Sequence, residues 1–200
     1  MIEISLTRFI DFTLKSGSPK FTSLRQTKKQ LADEYDPVTD YYKQIRDAIV
    51  SYHRNGKPFS SIETVATTVK NKSKQKNYPS IAAGYKQFLG KKQIKWFKPP
   101  QADWTAHGVS VSINPELGLD FNGTAHVIKL YFKEGRPKKL EVGGVLSLMD
   151  ALLHNNAHTR TMGLLDVRRG KLFTDAPPNS DLLALMQGEA ASIATMWPFL

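Results

Sequence analysis

The chain has 200 residues, a formal net charge of +10 and no cysteine. An apolar share of 40% is ordinary for a globular protein and argues against wholesale disorder, while the lack of cysteine excludes a disulfide framework and any thiolate metal site. No apolar run approaches the roughly 20 residues that span a bilayer and the first residues lack a signal-peptide pattern, so we expect a soluble, cytoplasmic protein with no membrane partner.

The positive charge belongs to the first half of the chain. Residues 1–100 contain 19 Lys and Arg against 8 Asp and Glu, whereas residues 101–200 contain 9 against 10. Such asymmetry is typical of a protein that binds a polyanion, and a surface that serves only solubility is the alternative.

Residues 1–90 are predicted to be helical and basic. Apolar spacing and stop signals predict short helices, with Gly17 ending the first and Asp36-Pro37 supplying an N-cap and a proline at the first helical position of the third. The predicted helices cover residues 7–16, 23–35, 37–55, 60–69 and 80–89. The lysines of residues 70–76 would then form a frayed end or a loop.

The stretch from residue 109 to 133 predicts antiparallel strands. Residues 109–113 alternate apolar and polar side chains, which is the period of a strand with one buried face. Asn122-Gly123 is the strongest short hairpin signal in the chain, because both residues tolerate positive φ. The second arm, 127–132, is rich in β-branched and aromatic residues but contains Lys129.

The remaining elements complete a second region of residues 91–200. Strands are predicted over 93–98, 161–167 and 171–174, and helices over 140–153 and 181–196. The sequence therefore predicts an α+β or α/β protein, with a helical region before a β-β-β-α-β-β-α sheet domain. The two regions could also form one continuous domain.

The clearest chemical signal is a lysine inside an apolar strand, with acids on the facing arm. Lys129 is expected to need a partner, and Glu116 and Asp120 are the nearest carboxylates in the sequence. Carboxylates on neighbouring strands can hold Mg²⁺, and a lysine beside them can orient water or offset charge on a phosphodiester. The alternative is a salt bridge without catalytic function.

This order of elements resembles the PD-(D/E)xK nuclease superfamily over about residues 80–175. Pro115-Glu116 resembles its first acidic element, with Asp120 as an alternative, and Lys129 matches its lysine. The resemblance implies a restriction-endonuclease-like fold with Mg²⁺ bound by Glu116 and Asp120. This sequence departs from the motif at Val127, where the family has an acid that ligates the metal, and Glu141 is a candidate replacement.

A second signal is the long lysine-rich stretch that has no acid between Glu63 and Asp103. Lysines neutralise phosphates, and interleaved aromatic residues can stack on bases, whereas the three-residue spacing of Tyr85 and Phe88 is more typical of a core. The residues that we predict to contact DNA or RNA are Lys86, Lys91, Lys92, Lys95, Trp96 and Lys98.

These signals lead to one interpretation and two alternatives. The sequence favours a nucleic-acid-associated protein with a degenerate PD-(D/E)xK-like domain, which binds rather than cleaves because of Val127. One alternative is an active Mg²⁺-dependent nuclease with Glu116, Asp120 and Lys129 as catalytic residues. The other is an interaction or scaffold protein with no nucleic-acid role, and a homodimer is compatible with any of the three.

Overall fold

A computed structural model of the chain describes residues 1–32, 40–154, 160–174 and 179–200. Within these ranges the protein is an α+β fold. The helices are α1 (Leu6–Thr13), α2 (Gly17–Ala32), α3 (Lys43–Arg54), α4 (Ser60–Thr68), α5 (Lys72–Leu89), α6 (Lys139–Leu153) and α7 (Ser180–Met196). None of the described helices is long and apolar enough to cross a membrane.

The strands form two separate sheets. They are β1 (Ile2–Ser5), β2 (Lys95–Phe97), β3 (Ala102–Ala106), β4 (Val109–Ile113), β5 (Leu117–Phe121), β6 (Thr124–Tyr131), β7 (Arg160–Asp166) and β8 (Lys171–Phe173). The larger sheet has the order β2-β5-β6-β7-β8, and the smaller has the order β1-β4-β3. β6 and β7 are parallel, as expected for strands whose connection contains a helix, α6.

The predicted hairpin at Asn122-Gly123 is confirmed. It joins the antiparallel strands β5 and β6, and its two turn residues have φ values of 52° and 76°. His107-Gly108 makes the same kind of turn between β3 and β4, with φ values of 49° and 77°. The sequence analysis found the first turn but missed the second, and with it the whole of β3.

Two hydrophobic cores lie on opposite faces of the larger sheet. Helices α3, α4 and α5 cover one face, and their buried residues pack with the apolar residues of β5 and β6. Helix α6 contacts β7 of the larger sheet and β3 of the smaller one, with α1 and α7 beside it. An apolar helix of this kind is expected in an interior position, since it has no polar face to present to water.

Three predictions about residues 1–90 are corrected by the structure. Residues 2–5 form β1, parallel to β4, so this region is not purely helical. Helix α1 ends at Thr13, and Gly17 begins α2 instead of ending α1. Helix α5 begins at Lys72, with Pro79 inside it. Pro79 is exposed, so the carbonyl four residues earlier, which loses its helical partner, can be hydrated. The predicted N-cap at Asp36-Pro37 lies outside the described residues.

Candidate functional site

A cleft of about 910 Å³ lies at the end of the larger sheet where β6 finishes. Its lining includes residues of β1, α1, the end of α2, α6 and the chain around the start of α3. Glu116, directly before β5, and residues 129–131 of β6 also line it. Its charged lining residues among those described are Glu3, Arg8, Asp11, Asp40, Arg46, Glu116, Lys129, Lys133 and Glu141.

Glu116 and Lys129 meet in this cleft. The Lys129 ammonium donates to Glu116 Oε1 at 2.6 Å and to the Asn114 carbonyl oxygen at 3.0 Å. Glu116 Oε2 accepts from the Leu130 amide at 2.8 Å, and each side chain of the ion pair is only 13% exposed. The pair thus satisfies a cation inside an apolar strand, and both carboxylate oxygens of Glu116 are engaged.

Asp120 is an even number of residues from Glu116 and therefore lies on the same face of the sheet as Glu116, but it does not reach the Glu116–Lys129 pair. In the strand register it stands opposite Ala125 of β6 and Lys95 of β2. It is four residues along β5 from Glu116, which corresponds to about 13 Å at the rise of an extended strand. The structure therefore brings Lys129 together with Glu116 and not with Asp120.

Glu141 lines the same cleft but belongs to a different group of charges. Its Oε1 accepts from the Lys133 ammonium at 3.0 Å, and its Oε2 accepts from the Lys138 amide at 3.2 Å at the start of α6. Lys133 also forms an ion pair with Asp11 of α1. Burial opposes the charge of Lys133, but the hydrogen bonds and charges of Asp11 and Glu141 outweigh it and raise its pKa.

A third ion pair in the lining joins α3 to the chain just before it. Arg46 of α3 donates to Asp40 at 2.7 Å. Burial opposes the charge of this guanidinium, while the hydrogen bond and the charge of Asp40, followed by the charge of Glu116, raise its pKa. The carboxylates and cations of the cleft are therefore largely paired with one another, and their charges nearly balance.

These residues do not fit a magnesium site of the expected kind. Val127 occupies the place of the missing acid, is fully buried, and stands between Gly118 and Met162 in the register. The carboxylates of Glu116 and Glu141 are already engaged by amides and ammonium groups. Across the described ranges, no group of three or more His, Asp or Glu residues is arranged to hold a metal ion.

The lysines that we predicted to contact nucleic acid differ in whether an acid already pairs with them. Lys91, Lys95 and Lys98 are exposed, and no ion pair involves them in the described structure. Lys86 is exposed but contacts Glu63 at 3.0 Å. Their ammonium groups are thus not equivalent as partners for phosphate.

The other two predicted contacts are held by the fold. Lys92 donates to the Phe88 carbonyl oxygen at the end of α5, and its ammonium lies over the rings of Phe88 and Phe121. Trp96 is half-buried against the core under α3 to α5, and its indole nitrogen is buried without a hydrogen-bond partner. An indole in this position has little surface left for stacking on a base.

Several cleft residues were missed by sequence analysis. Lys133 could have been found, because Lys129, Tyr131 and Lys133 follow one another at the two-residue period of a strand. Asp11, Asp40 and Arg46 carry no signal in the sequence. Asp11 pairs with the distant Lys133, and only folding brings Asp40 and Arg46 near Glu116. Only packing of α1 and α3 against the sheet brings them there.

Function has to be inferred from the cleft and from the charged surface beside it. The sequence matches no family model, and no curated protein matches it either.

Proposed function

We propose that the protein binds nucleic acid through a lysine surface and does not cleave it. The observation that carries this proposal is a continuous segment, residues 64–102, whose lysines are opposed by no acid within it. We define the lysine surface as its exposed members without an ion pair in the described structure: Lys70, Lys72, Lys76, Lys91, Lys95 and Lys98. Unopposed lysines of this kind neutralise phosphates and release counterions.

Residues 64–102 contain nine lysines, no arginine and no Asp or Glu. This segment therefore carries a formal charge of +9, in a chain whose total is +10. The rest of the chain is close to neutral. A polyanion would therefore be attracted to this surface and not to the cleft, where carboxylates and cations nearly balance.

The ion pair in the cleft supports binding over cleavage. Both oxygens of Glu116 are engaged, and Val127 supplies no ligand where a metal-dependent nuclease of the PD-(D/E)xK type has its second acid. Lys129 is held by Glu116 and by a backbone carbonyl, so its ammonium is occupied as well. We therefore derive no metal-assisted step for this cleft.

An active nuclease is the second candidate, and two observations favour it. Glu116 and Lys129 are in contact within a cleft, as the resemblance to PD-(D/E)xK nucleases implies for an acid and a lysine. The elements α5, β2, β5, β6, α6 and β7 also follow the order of helix, three strands, helix and strand, with β3 and β4 inserted as part of the smaller sheet.

Binding is tested by fluorescence anisotropy of labelled single-stranded DNA, duplex DNA and RNA, titrated with the full chain at several salt concentrations. We expect affinity to fall steeply as salt is added, with a logarithmic slope of about −0.7 to −0.9 for each phosphate contacted. The absence of binding to all three probes at low salt would reject the proposal and favour a scaffold role.

Cleavage is tested separately with the same probes in the presence of Mg²⁺ or Mn²⁺. We expect intact probe after prolonged incubation. Cleavage that requires the metal and is lost in Lys129→Met would instead establish the second candidate. Cleavage that survives in that variant would point to a contaminating nuclease.

A further inference from the structure

The first half of α5 carries lysines and is hydrogen-bonded to Tyr41, a residue that lines the cleft. Lys72 and Lys76 are exposed and one helical turn apart, so they share a face of the helix. Lys74 is half-buried, with its ammonium 5.7 Å from the centre of the Tyr41 ring and 3.5 Å from Gln44 Oε1. We call these three residues the α5 lysines.

Hydrogen bonds connect this part of α5 directly to the cleft wall. Tyr41, which lines the cleft, is 2.9 Å from Ser73 Oγ through its hydroxyl, and that hydroxyl also accepts from Asn77 Nδ2 at 3.0 Å. Tyr78 donates to the Tyr41 carbonyl oxygen at 2.5 Å. The turn of α5 that carries these lysines is thus hydrogen-bonded to the lining of the cleft.

Their position is unfavourable for the helix itself. The N-terminal end of a helix carries a partial positive charge and is stabilised by acidic side chains. The first turn of α5 has none, and in the part of the chain that the structure describes the α5 lysines form no ion pair. A bound anion would compensate this concentration of positive charge, which the fold leaves uncompensated.

Two lysines near the other end of α5 already have partners within the fold. Lys86 contacts Glu63, and Lys92 is committed to the Phe88 carbonyl oxygen. Lys95 stands directly opposite Asp120 in the register of β2 and β5. Leu89, the last residue of α5, lies about 22 Å from Lys74 along the helix axis, at 1.5 Å for each residue.

We propose that nucleic acid is held mainly by the α5 lysines, beside the cleft, and only secondarily by the lysines near β2. This inference rests on the proposed function and adds the part of the lysine surface that contacts the phosphates. The partner is a nucleic-acid strand, because closely spaced ammonium groups match successive phosphates.

The test compares two variants that lose the same charge. Lys72→Gln with Lys76→Gln is expected to weaken binding of single-stranded DNA at least tenfold at low salt and to lower the salt slope by about 1.4, which corresponds to two phosphate contacts. Lys91→Gln with Lys95→Gln is expected to weaken it less than threefold. Equal losses in the two variants, or a larger loss in the second, would overturn the inference while leaving the proposed function intact.

Charge reversal adds a second measurement that a purely structural role would not predict. Lys72→Glu with Lys76→Glu is expected to abolish binding while the melting temperature stays the same or rises, because acids suit this end of the helix. A lower melting temperature would show that the lysines support the fold and would contradict the inference. If wild-type protein binds no probe at all, it is the proposed function that fails.

Discussion

Lys129 shows how a single cation is tolerated inside a sheet. Its ammonium has two oxygen partners, and its side chain is no more exposed than that of Glu116. Lys86 and Glu63 provide a natural comparison, because their ion pair has side chains that are 66% and 48% exposed. Burial should decide how much each pair contributes to stability, since water screens the exposed one.

We predict that Lys129→Met lowers the free energy of unfolding by about 3 kcal/mol, because it leaves a mostly buried carboxylate without its cation. The matched change Lys86→Met should cost about 0–1 kcal/mol. Both values are measured by urea unfolding. In a double-mutant cycle, adding Glu116→Gln to Lys129→Met should cost less than the sum of the single changes. Additive losses would mean that the pair is not coupled.

His53 gives the protein a pH-dependent contribution to stability. Its Nε2 lies 2.5 Å from the hydroxyl of the fully buried Tyr85, and burial lowers the pKa of His53 from 6.5 to about 4. The unfolded chain therefore binds a proton between these pH values that the folded chain does not. Stability from this residue is complete above pH 6.5 and is lost as the pH falls toward 4.

We predict that wild-type protein loses roughly 1–3 kcal/mol more than His53→Gln over this interval, with allowance for partial exposure to solvent. Glutamine does not titrate, so the difference between the two unfolding free energies isolates His53 from the carboxylates. Urea unfolding at several pH values between 7 and 4 measures it. Parallel pH profiles for the two proteins would contradict the assignment.

At the scale of elements, α5 packs directly against the short helical turn Val167–Arg169 because Gly84 has no side chain. A Cβ atom on Gly84 would overlap the carbonyl oxygens of Val167 and Arg168. Gly170, which has a φ of 60°, follows this turn and lies close to the Gly84 carbonyl oxygen. Backbone meets backbone at this contact, so neither element can yield by moving a flexible side chain.

We predict that Gly84→Ala destabilises the protein by about 3 kcal/mol, through forced displacement of α5. The control is Gly188→Ala in α7, where an added Cβ has open space. That change should stabilise the protein by up to about 1 kcal/mol, because alanine is the better helix former. Thermal and urea unfolding compare the two, and similar effects of both substitutions would disprove the close contact.

At the scale of the whole molecule, residues 1–90 and 91–200 share both cores. Ile45, Tyr78 and Tyr85 cover one face of the larger sheet, and Leu6 and Phe9 pack into the core around α6. The first ninety residues also supply β1 to the smaller sheet. The sheet elements therefore depend on the helices for burial of their apolar faces.

We predict that residues 91–200 expressed alone do not fold cooperatively. Removing α3 to α5 would expose a large apolar face, which favours a loosely packed or aggregated state. The measurements are thermal unfolding followed by near-ultraviolet circular dichroism and binding of a dye specific for exposed apolar surface. A cooperative transition with little dye binding would show that this region is an independent domain.

Local signals predicted much of the fold. The Asn122-Gly123 turn and the apolar pattern of α6 each act over a few neighbouring residues, and the structure confirms both. The pairing of Lys129 with Glu116 could also be predicted, because a two-residue turn fixes which residues of the hairpin stand side by side. β3 was missed because its turn at His107-Gly108 was not recognised.

The sequence by itself therefore determined the α+β class, the central hairpin, the acid and lysine that meet beside it, and the concentration of charge in one segment. Only the tertiary structure decided that Glu141 is bound by Lys133 and that Lys92 and Trp96 are held by the core. The physical reason is that the two-residue period of a strand and the 3.6-residue period of a helix determine only the face on which a side chain lies. Which distant segment meets that face depends on how the helices pack.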